Sequence, residues 1–213
     1  MCVSNHTMYS IRQFYPKYKD KMITVFYTPQ KSAELSKATS SIISCKYILI
    51  MGGDRWIKNC YREVLAIEQL FKNGFLKEYK VVVTGGLSKS IQGKITDISK
   101  YIIKSYVETE ELETLYKFCD IFLYASLNEG FGMPPLEAMK YGKTCVVSGV
   151  CSLPEICGDS VYYVNPYDVD EIAGRILHAC AKKIDSTKVL KQFQKIYDRQ
   201  CVDLDGLCEF IIK

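Results

Sequence analysis

The run Ile121-Phe122-Leu123-Tyr124-Ala125, followed by Ser126 to Gly142 (SLNEGFGMPPLEAMKYG), constrains this chain more than any other stretch. An apolar run closed by a turn signal reads as a strand buried on both faces, the pattern of a parallel sheet. Gly130 and Gly132 then permit a tight turn with the backbone open to a ligand. Pro134 and Pro135 suit the first turn of a helix, where a missing N–H bonds nothing anyway. Leu136, Met139 and the stem of Lys140 predict one buried helix face, which Gly142 is placed to end. In open α/β sheets such strand–loop–helix turns, outside the carboxyl ends of the strands, are where ligands bind. Free amides at a helix N-terminus favour a phosphate. Glu129, before the glycines, and Glu137, read here as lying in the first helical turn, repel phosphate but accept hydrogen bonds from hydroxyls. A ligand with hydroxyls on both sides of a diphosphate is a nucleotide sugar. A first-turn Glu also stabilises a helix with no ligand present.

The rest of the chain repeats this alternation. Strands are predicted at Lys21 to Tyr27, Tyr47 to Met51, Lys80 to Thr84, Tyr101 to Val107, Thr144 to Ser148 and Val161 to Val164. Tyr61, Val64, Leu65, Glu68 and Phe71 stand in helical register. Thr109 is a candidate N-cap for a helix whose stripe is Leu112, Leu115 and Tyr116. Ser152-Leu153-Pro154-Glu155 has the form of a capping box. Asp168 to Cys180 is amphipathic, with Ile172, Ile176 and Leu177 inward. Two more helices are expected near 186–198 and 203–212, and residues 32–45 read as helix or surface loop. Residues 87 to 99 are polar and helical in part. The alternation predicts the α/β class, with a single doubly wound parallel sheet of Rossmann-like form. Gly52-Gly53 with Arg55 and Lys58 forms a second glycine loop. Gly85-Gly86 forms a third, which serves equally as a ligand contact or a tight turn. The fingerprint G-x-G-x-x-G is absent, which argues against a nicotinamide enzyme.

Composition excludes several classes. The chain has 213 residues, 48% apolar and 24% charged, enough for one ordinary domain. No run of 18 apolar residues suggests a membrane-spanning helix, and the N-terminus lacks a signal peptide's apolar block. A formal charge of +4, read as spread along the chain, gives no reason to expect nucleic acid. It admits a weak attraction to anionic membrane surfaces. The 10 cysteines form no C-x-x-C pair and there are only 2 histidines, so no metal site is expected. Cys119, Cys145 and Cys180 read as small core hydrophobes, and reduced thiols in the cytoplasm are expected. Asp203-Leu204-Asp205 reads as a solvated helix start rather than a metal site.

EGFGMPPLEAMKYGK, followed by VVSGVCSLPEICGDSVYYVNPYD, resembles the donor-binding, C-terminal half of the retaining GT-B glycosyltransferases of group 1, family 4. Their hallmark is two glutamates separated by seven residues, here Glu129 and Glu137. The resemblance implies a catalytic set of Glu129, Lys58 and Arg55. Glu129 would contact donor-sugar hydroxyls; Lys58 and Arg55 would neutralise the leaving diphosphate. The family's R-K-N is Ile57-Lys58-Asn59 here, so Lys58 maps well and Arg55 is displaced by two residues. Glu137 would meet the ribose, the amides of Gly130, Phe131, Gly132 and Met133 the sugar and diphosphate, and Tyr106 and Val107 the base. Gly53 and Gly85 would lie close to the donor. No separate cofactor and no metal are implied.

The resemblance also implies that residues 1–20 are a remnant of an acceptor-side domain and crossover, and 21–213 the donor domain. The family's Asn-Gly-Val-Asp is replaced by Thr28-Pro29-Gln30-Lys31. The expected partners are a nucleotide-sugar donor, a saccharide or lipid-linked acceptor, and a separate polypeptide supplying the acceptor domain. The expected place is cytoplasmic, at most peripheral to the inner membrane face. The alternative is a non-catalytic nucleotide-sugar-binding or interaction module.

Overall fold

The computed structural model describes residues 1–30, 35–53 and 55–212. Among them, β1 (Lys46–Met51), β2 (Tyr79–Thr84), β3 (Tyr101–Lys104), β4 (Ile121–Tyr124), β5 (Cys145–Ser148) and β6 (Tyr162–Val164) form one sheet. Every pairing is parallel and the order is β3-β2-β1-β4-β5-β6. The expected Rossmann-like sheet is therefore present, with its order reversing between β1 and β4, where Ile48 pairs with Ile121 and Ile50 with Leu123.

Helices cover both faces because the strand residues are apolar in both directions. Ile48, Ile50, Val81, Val83, Ile121 and Leu123 pack on Val64 and Ile67 of α2 (Cys60–Lys72) and on Ile172 and Ile176 of α7 (Val169–Ala181). Tyr47, Leu49, Val82, Phe122 and Val147 face the opposite way. They meet α4 (Thr109–Phe118), α5 (Met133–Met139), α6 (Leu153–Cys157) and α8 (Ser186–Ile212) through Leu115, Leu136, Ile156 and Val189. Each fully buried aliphatic or aromatic side chain contributes about 1.5–3 kcal/mol, so the two layers carry the fold. Cys119 and Cys145 are buried as expected, Cys180 only partly, and all ten cysteines are free.

Several sequence expectations need correction. Lys21 to Tyr27 is not a strand: only Val25 makes a bridge, to Cys2. The segment is a strap, tied at Thr24 and Phe26 to Cys2 and at its end to α8. The Tyr27 amide donates to Asp203 Oδ2 (2.8 Å), and Gln200 Nε2 donates to the Thr28 carbonyl. The two C-terminal helices are one, since no Pro or Gly interrupts residues 199–205. Asp203 is thus no solvated helix start. It is buried in mid-helix, accepting also from Arg199 Nε at 2.6 Å. Residues 35–45 form neither helix nor strand, whereas 32–34 lie outside the described residues. Part of 87–99 is helical, in the short α3 (Lys89–Gln92). Thr109 is the first residue of α4, and Glu108 is the N-cap.

Asp203→Ala leaves the Tyr27 amide and Arg199 without their acceptor, and is expected to cost roughly 1–3 kcal/mol. Urea unfolding of the variant beside the parent measures it; an unchanged midpoint would show that the strap–helix bonds carry no stability.

Candidate functional site

Two loops meet where the sheet order reverses. The loop after β1 ends in a 3₁₀ turn, Trp56–Lys58, then Asn59 in the left-handed region (φ 63°), which Asn tolerates better than most residues. Asn59 Nδ2 donates to the carbonyls of Ala125 (2.8 Å) and Pro166 (2.7 Å). The Ile57 carbonyl accepts from the Leu127 amide (2.8 Å) and Ser126 Oγ (3.0 Å). The loops after β1 and β4 are thereby stapled together. The staple brings Lys58 Nζ to 2.7 Å from Glu129 Oε1, with side chains only 12% and 11% exposed.

Tyr124 and Ser126 hydroxyls also donate to Glu129 Oε1, each at 2.7 Å, and Lys58 contacts the Tyr124 hydroxyl as well. All three donors converge on Oε1. No donor among the described residues reaches Oε2. Burial and the neighbouring Glu129 charge hold the Tyr124 hydroxyl far above the usual tyrosine range, so it stays a donor.

The glycine loop that follows has its carbonyls turned inward. Ser152 Oγ donates to the carbonyls of Glu129 (2.9 Å) and Phe131 (2.8 Å). Ser4 Oγ and Thr7 Oγ1 donate to that of Gly130, at 2.6 and 3.2 Å. Among the described residues no group accepts from the amides of Gly130, Phe131, Gly132 or Met133. Gly132 needs its φ of 114°, and a Cβ there would lie 2.7 Å from Leu153 Cδ2. The Phe131 ring is buried edge-on against Tyr27, so only its backbone can meet a ligand.

The expected capping box at Ser152 and Glu155 does not form. Ser152 is occupied with the glycine loop. Glu155 caps a different helix, α1 (Asn5–Phe14), accepting from the amides of Asn5 (3.0 Å) and His6 (3.2 Å) and from the Tyr27 hydroxyl (2.8 Å). A carboxylate at that helix's N-terminus is favoured by its dipole and free amides.

Glu137 lies one turn further into α5 than expected, and Oε2 accepts from the Tyr116 hydroxyl at 2.7 Å. It lines a cavity of about 890 Å³ with Met133, Tyr116, Gln30 and Leu112. A neighbouring cavity of about 550 Å³, sharing Leu112, is lined by Gly52, Arg55, Gly85, Tyr106 and Val107. Glu129 lines neither, so the two glutamates of the motif stand apart. Gly53 has a structural reason of its own: a Cβ would lie 2.1 Å from the Gly85 carbonyl oxygen, so the two glycine loops pack backbone to backbone. Arg55 is exposed at the second cavity's edge.

Sequence reasoning missed Glu63. It is fully buried at the start of α2, and its Oε1 accepts from the Ala125 amide at 2.6 Å. Burial raises its pKa to about 8, against the lowering effects of that amide, the Cys60 thiol and the Lys58 charge. The available signal was an acid at i−4 and i−7 from Ile67 and Leu70, on the inward stripe.

Fold and site together define a doubly wound α/β domain with its polar centre at the topological switch point. The chain matches the family described as Glycosyl transferases group 1 over residues 34–195, and it belongs to that family. It is 42% identical over 74 residues, 35% of this chain and 9% of the relative, to "Serotype-specific mannosyltransferase WbdA" of Escherichia coli. It is 27% identical over 167 residues, 75% of this chain and 44% of the relative, to "O-antigen chain mannosyltransferase RfbU" of Salmonella typhimurium. The chain thus spans less than half the length of these curated relatives. Among solved structures, sucrose-phosphate synthase from Thermosynechococcus elongatus shares the fold with a TM-score of 0.75 at 16% identity, over 98% of this chain and 56% of that one. The expected GT-B-type architecture agrees with this likeness.

Glu63 keeps its proton in the folded chain up to about pH 8, whereas an unfolded Glu loses it near its ordinary pKa. The folded state is therefore favoured most at low pH, and this contribution fades as pH rises through that window. Glu63→Gln should remove the loss: the variant gains on the parent from pH 5 to pH 8, by on the order of a few kcal/mol at most. Urea midpoints across that range measure it, and a pH-independent difference would contradict the buried acid.

Proposed function

We propose that this chain is the donor-binding half of a retaining, metal-independent glycosyltransferase that uses a nucleotide-diphosphate sugar. One observation carries the reading. Four consecutive amides, Gly130 to Met133, have no acceptor among the described residues, beside Lys58, where the sheet order reverses. Such amides, with a cation and no competing carbonyl, suit an anion.

The diphosphate lies against these amides with Lys58 and Arg55, which neutralise charge on the departing nucleotide. Preorganised donors of this kind cost no reorganisation during reaction and are usually the largest catalytic contribution. Glu129 Oε2 accepts from a donor-sugar hydroxyl while Oε1 stays bound to Lys58, Tyr124 and Ser126. Glu137 accepts from the ribose in the larger cavity, and Tyr106 and Val107 line the space for the base in the smaller one. A nucleoside-diphosphate mannose is the first donor to test, because curated relatives are named as mannosyltransferases. The acceptor, a saccharide or lipid-linked saccharide, would be held by a second domain, supplied by further chain or by a partner polypeptide.

A second reading is a sugar-nucleotide-binding module without turnover. Calorimetric titration with nucleoside-diphosphate sugars, beside a transferase assay, separates the two: binding without transfer supports the module, and no binding sinks both. Lys58→Ala should weaken a nucleoside diphosphate more than the monophosphate, and Glu137→Ala should weaken both. Each loses a charged hydrogen bond of roughly 1.5–3 kcal/mol, about ten- to a hundredfold in affinity. Unchanged affinity in both variants removes the site.

A further inference from the structure

We infer that the N-terminal segment, from Phe14 to Met22, is a docking surface for an anionic lipid bilayer. The segment reads Phe14-Tyr15-Pro16-Lys17-Tyr18-Lys19-Asp20-Lys21-Met22. Phe14 is 72% exposed, Tyr15 57% and Met22 94%, which is unusual company for large apolar groups in one short stretch. Lys17, Lys19 and Lys21 are exposed between them.

The segment is basic as well: Arg12, Lys17, Lys19 and Lys21 against Asp20 give the first 22 residues a net charge of +3.

Two kinds of partner would cover exposed aromatics, and the lysines decide between them. Protein interfaces are depleted in lysine, because burying its strongly hydrated ammonium is costly. At a bilayer surface the same residue is favourable. Its stem lies along the apolar layer while its charge meets anionic headgroups, and Tyr and Phe enter the interfacial region beside it. The lysines also pack on their aromatic neighbours: Lys17 and Lys21 lie 4.8 and 5.6 Å from the Tyr18 ring centroid. Aromatic and basic groups therefore present one mixed surface.

The patch is joined to the site through α1. Its N-cap is Ser4, whose hydroxyl holds the Gly130 carbonyl, and Glu155 holds its first amides. Ten helical residues at about 1.5 Å each place the patch about 15 Å from the glycine loop. A bilayer held there lies within reach of the cleft, as a lipid-linked acceptor would require. The docking itself does not depend on the nucleotide-sugar reading.

The test is co-sedimentation of the chain with phosphatidylcholine vesicles, with and without phosphatidylglycerol, at low and high salt. Binding should rise at least about tenfold with the anionic lipid and fall with salt. Lys17→Glu/Lys19→Glu/Lys21→Glu should abolish the anionic-lipid dependence. Phe14→Ser/Tyr15→Ser should remove the binding that survives salt. Both sets lie outside the sheet layers, so circular dichroism and thermal midpoints should match the parent; if either set unfolds the chain, single substitutions at Lys19 and Phe14 must each lower binding severalfold. Equal binding to neutral and anionic vesicles, or anionic-vesicle binding untouched by the variants, overturns the proposal. So does absence of vesicle binding together with self-association that Phe14→Ser/Tyr15→Ser abolishes, which would give the surface to a second copy. Sugar-nucleotide affinity should be the same with and without vesicles, so failure here and failure of the donor site are separate results.

Discussion

The structure depends on the staple between the loops that leave β1 and β4. These strands are neighbours at the point where the sheet order reverses, so their loops diverge toward opposite layers and leave a crevice. Asn59, Ile57 and Ser126 close the base of that crevice with hydrogen bonds to Ala125, Pro166 and Leu127. Only then can Lys58 and Glu129 share a nearly buried contact. Taking both charges from water is expensive, and the attraction repays it only when the remaining bonding capacity is satisfied. Tyr124 and Ser126 supply that satisfaction on one carboxylate oxygen. Among the described residues the other oxygen has no donor and the amides of the adjoining glycine loop have no acceptor, so the polar centre is strongly held and incompletely saturated.

The glycine loop is shaped from the outside. Ser4 and Thr7, 126 and 123 positions from Gly130 in sequence, share the restraint of the loop's carbonyls with Ser152, a neighbour in space. The N-terminal helix gains its own anchor from Glu155, which also receives the Tyr27 hydroxyl, and the strap beyond it is tied to Asp203 and Gln200 of α8. First and last parts of the chain therefore brace the same loop edge. In the opposite direction, Glu63 fixes the Ala125 amide from beneath, at the cost of burying an acid that burial keeps protonated to about pH 8.

Much of the architecture was readable because it rests on local periodicity. Ile121 to Ala125 reads as a two-sided strand, and the neighbouring apolar runs and helical stripes alternate with it, which leaves few arrangements besides a parallel sheet with helices on both faces. Misreadings fell where local pattern and distant partner disagree. Ser152 and Glu155 have capping-box spacing, yet each hydrogen-bonds residues far along the chain. Lys21 to Tyr27 has strand-like alternation, but it makes a single bridge, to Cys2, and its end is claimed by α8. Asp203 and Asp205 look alike in sequence; only the first has Tyr27 above it. Glu129 and Glu137 read as a pair, and the fold sends one to the charge cluster and the other to a cavity with Tyr116.

By itself the sequence determined the class of fold and the position of the glycine loop at a strand's carboxyl end, with Glu129 and Glu137 beside it, since propensity, periodicity and spacing act over a few residues; Lys58 became a candidate only through the family resemblance. Tertiary structure alone decided which groups are saturated and which stand open, that Gly53 serves Gly85, and that Glu63 is buried. Those outcomes turn on contacts between residues tens to more than a hundred positions apart, where desolvation and geometry have no signature in the order of the chain.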